Sequence, residues 1–149
     1  MWTTRTGAFG HGRANGGPGG VVVSTTARLG VGVLLLAHGL VHLLYLARDV
    51  DAFSLDSTWL PEMLRRPVAL VLLTATVLSF ALVALGTWGV PGLSSAWPVL
   101  TVFAAAVSTL LLLLFWDWQL IFGLVIDAAL VTLALWQPVW LQHLIWGTA

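Results

Sequence analysis

Three ionisable side chains stand inside long apolar stretches of this 149-residue sequence: His38, His42 and Asp127. Such groups are costly in lipid, and where a chain keeps them they point to a proton relay, a ligand site or a metal site. His38 and His42 are four residues apart and Tyr45 follows three later, so on a helix the three share one face as a polar stripe. Asp127 has Gly123 one turn before it and Ala134 about two turns after it, a small-residue face that lets another helix come close.

Depth links the stripe to the carboxylate. His38 lies nine residues from Ala47, and Asp127 eight from Gln119. If those ends share a membrane face, a rise of 1.5 Å per residue puts both groups about 12 to 14 Å inside. A hydrogen bond between them would then satisfy two groups that are expensive to leave unpaired. Such a pair could exchange a proton, and the plainer reading is interhelical glue that only fixes packing. His38 and His42 with Asp127 could also supply three metal ligands, since His at i and i+4 plus a carboxylate is a usable donor set. Haem held by two histidines would need His143, which falls beyond the last apolar run. No cofactor is named by these residues. Asp117, between Trp116 and Trp118, reads as turn chemistry. Thr101 with Ser108, and Thr76 with Ser79, read as packing hydroxyls bonded along or between helices.

The elements that must position these groups are four apolar runs at about 29–47, 67–87, 95–115 and 119–137, each long enough as a helix to cross a bilayer. Backbone groups in lipid must pair within the protein, which makes these spans helices. Pro67 suits the first turn of the second helix. Trp88, Gly89 and Pro91 end that helix, and Trp97 and Pro98 open the third. Only Asp117 and Trp118 separate the third run from the fourth, so these two helices form a tight antiparallel hairpin. Pro138, Trp140 and Trp146 close the chain as an interfacial tail. The expected fold is an all-α integral membrane four-helix bundle over residues 27–149, preceded by a disordered Gly-rich tail at 1–26. That tail has seven Gly among its first twenty residues and no apolar periodicity. It lacks the features of a cleaved secretory signal.

Composition agrees: 59% of residues are hydrophobic and 8% charged, outside the range of water-soluble domains. Six Arg balance six acids with no Lys, so no basic surface exists for nucleic acid. Cysteine is absent, which removes thiolate chemistry and disulfides. No phosphate loop, dinucleotide fingerprint, nucleophile elbow or HExxH motif occurs, and nothing in the chain argues for an enzyme. Asp49, Asp51, Asp56 and Glu62 collect in one loop between the first two spans. Arg5, Arg13 and Arg28 lie on the side of the termini, and Arg48, Arg65 and Arg66 on the other, a tie that the acidic loop tips toward cytoplasmic termini.

The first span resembles that of the DoxX-like group of small four-helix bacterial membrane proteins. Their opening helix runs Arg, Gly four residues on, Gly seven further and Lys three beyond. Arg28, Gly32, Gly39 and His42 stand at those places, so His42 replaces the Lys with another protonatable group. The resemblance implies a four-helix bundle, sometimes associated with quinone-linked redox or oxidative-stress systems. Two functional readings follow. One is an accessory or subunit protein of the cell membrane, working in the lipid bilayer through helix packing with itself or a membrane partner. The other is an intramembrane site on His38, His42, Tyr45 and Asp127 that handles a proton, a quinone-like molecule or a metal.

Overall fold

The computed structural model describes residues 18–46, 55 and 58–146. Five helices run α1 (Pro18–Val41), α2 (Glu62–Thr87), α3 (Trp97–Leu114), α4 (Ile121–Trp136) and α5 (Val139–Trp146). A 3₁₀ turn at His42–Leu46 extends α1, and another at Trp118–Leu120 leads into α4. Four segments, Thr25–Leu46, Glu62–Thr87, Trp97–Leu114 and Trp118–Trp136, are long and apolar enough to cross a membrane. The fold is an all-α bundle of these four.

Three boundaries differ from the sequence reading. α1 begins at Pro18 instead of after a tail ending at 26, because proline's fixed φ suits an opening turn and no charge or breaker interrupts Val21 to Ala27. The rest of the tail, and the loop acids Asp49, Asp51 and Asp56, fall outside the described residues. α2 starts at Glu62 behind Pro61, which leaves Pro67 inside the helix. There the first turn is secured by Leu64 N donating to Pro61 O at 2.8 Å and by Arg65 Nε donating to Leu60 O at 3.0 Å. Glu62 also places its charge at the positive end of the helix. The expected interfacial tail is α5, whose Leu141 and Ile145 are buried with Leu35 and Phe80 in one apolar cluster.

Helices adjacent in sequence pack side by side, α1 on α2, α2 on α3 and α3 on α4, while α5 returns against α1. The backbones of α1 and α4 approach at few points, so long side chains must bridge that seam. The interior has two apolar clusters. One, toward the chain ends, centres on Phe80, Val83, Trp97 and Ala134. The other, toward the α3–α4 hairpin, holds Tyr45, Leu73, Leu111 and Phe115. A layer of polar side chains separates the two.

Candidate functional site

The polar layer is set by a close crossing. Gly39 lets α1 settle onto α2: a Cβ there would lie 2.6 Å from Phe80 Cβ. This contact brings the His38 ring edge-on to Phe80, with centroids 4.9 Å apart. From that position His38 Nε2 reaches across the open α1/α4 seam to Asp127 Oδ1 at 3.0 Å. The other carboxylate oxygen, Oδ2, accepts a hydrogen bond from Thr109 Oγ1 of α3 at 3.2 Å. Asp127 is 1% exposed and the His38 side chain 10%. The bond inferred from equal depth is therefore present, although the two helices are not close neighbours along their length.

His42, one turn on, is also buried and uses both ring nitrogens. Nδ1 lies 3.0 Å from His38 O, and Nε2 lies 3.0 Å from Ser108 Oγ on α3. A carbonyl can only accept, so Nδ1 carries the hydrogen and, in the neutral ring, Nε2 accepts from the Ser108 hydroxyl. The two histidine rings meet edge to face at 5.6 Å. Tyr45 is buried on the same side but turns to the hairpin cluster, where its hydroxyl donates a long bond of 3.4 Å to Phe115 O at the end of α3. The four expected site residues thus divide. His38, Asp127 and, through the His38 carbonyl, His42 form one network, and Tyr45 caps a helix end.

Among the described residues no three His, Asp or Glu side chains converge as a metal site requires. The physical reason is visible in His42, whose nitrogens both point at protein partners. His143, the candidate second haem ligand, is exposed on α5, off the buried face carrying Leu141 and Ile145. Asp117 Oδ1 accepts from Gln119 N at 2.9 Å, the turn role expected of it. Thr101 and Ser79 bond back to Trp97 O and Ala75 O of their own helices.

Thr109 is the partner that sequence reasoning missed, and Ser108, read there as a packing hydroxyl bonded along or between helices, is the cross-helix partner of His42. The depth arithmetic would have found them: they lie seven and six residues before Phe115, hence about 9 to 10 Å inside by the same helical rise. Thr76 Oγ1 is a different case, a fully buried hydroxyl with no hydrogen-bond partner. It lies one turn from Phe80 toward the hairpin end, as His42 does from His38.

Beside the carboxylate, α3 and α4 leave a groove of about 560 Å³ open to the outside of the bundle. Ala105, Ala106, Thr109 and Leu113 line it from α3, and Asp127, Ala128 and Thr132 from α4. A second groove of about 580 Å³ runs on from it past the shared Ala106 toward Pro98 and Gln137.

No known protein family, curated protein or solved structure matches this chain. What the fold states by itself is a small multi-pass membrane protein whose apolar helices contact lipid.

Proposed function

We propose that this chain carries a proton-exchanging site inside the cell membrane, made by His38 and Asp127, with its termini facing the cytoplasm. One observation supports the reading. A carboxylate at 1% exposure within a membrane-length helix is held by side chains from two other helices, His38 and Thr109. A histidine and an aspartate in contact hold one proton between them in two arrangements of equal net charge, imidazolium with carboxylate or imidazole with carboxylic acid. Little rearrangement separates the two forms, which is what a proton donor and acceptor needs. His42 and Ser108 hold the stripe in register from the next turn, since each satisfies the other.

The test is infrared difference spectroscopy on the protein in lipid nanodiscs, comparing spectra across pH. A carboxyl C=O band that titrates is expected, absent in Asp127→Asn and displaced along the pH axis in His38→Ala, with both variants still helical by circular dichroism. If no carboxyl band that depends on Asp127 titrates and both variants merely melt earlier, the pair is packing glue and the proposal fails.

One feature favours the second reading, an accessory protein acting through helix packing. Little of the Trp118–Trp136 span is buried within the bundle, leaving Phe122, Val125 and Ile126 outward. That face suits a homo-oligomer or a membrane partner. Purification in mild detergent would bring down a stoichiometric complex, and a consistently solitary monomer would count against it.

A further inference from the structure

The groove between α3 and α4 gives the buried carboxylate an approach from lipid. Its outer wall residues Ala106, Leu113 and Ala128 are exposed, while Thr109 and Asp127 lie at its floor. Its volume of about 560 Å³ is that of a small-molecule site, which typically spans roughly 300 to 1,000 Å³. Depth restricts the occupant. Asp127 is about 12 Å inside by helical rise, beyond the level where a phospholipid keeps its headgroup, so the molecule must dissolve in hydrocarbon as a whole. Charge restricts its head. The six Arg, at 5, 13, 28, 48, 65 and 66, all lie outside α3 and α4, and there is no Lys. The one ionisable group on the groove is an acceptor, and a carboxylate binds an ammonium head more strongly than a neutral donor because the hydrogen bond is charge-assisted.

We propose that this groove binds a lipid-soluble organic ammonium ion, its head paired with Asp127 Oδ2 in place of the Thr109 hydroxyl, and that its entry expels the proton held by His38. The inference rests on the proton-exchanging reading above. The exchange starts from the imidazolium–carboxylate form. The ligand brings one positive charge, the imidazolium loses its Nδ1 proton to the medium, and Nε2–H stays bonded to Oδ1. Nδ1 of His38 makes no hydrogen bond to a described residue, so its proton can leave without breaking one. The pair goes from neutral to singly negative and the ligand neutralises it, whereas proton and ligand together would leave an uncompensated charge in lipid. Other titratable groups do not blur this exchange: His42, on the 3₁₀ turn that extends α1, is the one next to the pair, α4 holds none besides Asp127, and residues 67–115, which include all of α3 and most of α2, contain none.

The experiment is calorimetric titration of n-decylammonium into protein nanodiscs against empty nanodiscs, in two buffers of different ionisation heat, with n-decanol as the neutral probe. Saturable binding with release of about one proton per amine is expected, and weaker binding of decanol with none. Ala106→Leu and, independently, Ala128→Leu narrow the groove from its lipid-facing wall without touching His38 or Asp127. Each should weaken the amine about tenfold or more while the titrating carboxyl band stays in place. Unchanged amine binding in both variants, or decanol binding as tightly as the amine, overturns the proposal. A titrating Asp127 carboxyl band without saturable amine binding sinks the groove and leaves the proton site standing; absence of that band sinks both.

Discussion

A buried hydroxyl helps or harms a membrane bundle according to whether it has a partner, and this protein holds both cases at one level. Ser108 Oγ satisfies Nε2 of a His42 ring that is 1% exposed. Ser108→Ala leaves that nitrogen unpaired where water does not reach, and should cost about 1 kcal/mol or somewhat more. Thr76 Oγ1 has no partner to lose. Thr76→Val keeps the shape and removes the orphan, so it should be neutral or stabilise by up to about 1 kcal/mol. Unfolding in mixed detergent micelles measures both, and the opposite order would mean that the polar layer is not arranged as described. The His38–Asp127 partnership was readable in the sequence because charge in an apolar run is rare and helical rise converts position into depth. The hydroxyl partners were less visible, since serines and threonines are scattered through the later three spans and several of them, such as Ser79, Thr101 and Thr132, bond back along their own helix.

At the level of the helix, α1 shows how spacing becomes a seam. Arg28, Gly32, Gly39 and His42 follow at intervals of four, seven and three, which keeps them on one face. Each meets a neighbouring helix or its end. Arg28 Nε donates to Thr87 O at 3.1 Å at the C-terminus of α2, where a cation also suits the helix dipole. Gly32 leaves room for the Trp88 indole, whose Nε1 donates to Leu29 O at 3.3 Å. Gly89 takes φ +90° beneath the Arg28 guanidinium, where a Cβ would lie 2.5 Å from Nη2, so only glycine fits this corner. Gly39→Leu would drive α1 away from Phe80 and should both destabilise the fold by about 2 kcal/mol or more and break the His38 reach, since the clash is with Phe80 Cβ, which no rotamer change can move. Loss of the titrating carboxyl band together with a lower melting temperature is the expected signature; an unperturbed band would mean that His38 is held by something other than this crossing. The four spans were legible because each is apolar for the width of a bilayer. α5 was not, because eight residues beside Pro138 carry too short a pattern, and its role rests on Leu141 and Ile145 meeting Leu35 and Phe80, which are distant in sequence. Pro67 misled for a related reason: a proline suits an opening turn, but Pro61 already stood ahead of the helix.

For the molecule as a whole, the ordering of apolar cluster, polar layer and second apolar cluster makes sense only if both ends of the bundle reach a membrane face and the layer sits between them. Water at the level of Asp127 would compete for His38 and Thr109, and the open α1/α4 seam would have no reason to close on one side-chain pair. The consequence is a definite topology. Residues on the loop before α2 and in the α3–α4 turn must emerge on one face, and those between α2 and α3 on the other. The chain has no cysteine, so single cysteines can report each face without background. Trp59 and Trp118 are 79% and 74% exposed, and Ser95 is exposed between α2 and α3. In right-side-out vesicles an impermeant maleimide should label Trp59→Cys and Trp118→Cys together, and should reach Ser95→Cys only after permeabilisation, which also tests the proposed cytoplasmic side of the termini. Labelling in the reverse sense would invert the orientation and keep the bundle. Labelling of Trp59→Cys and Trp118→Cys from opposite faces would require an odd number of crossings between them, and His38 and Asp127 could not then lie at one depth.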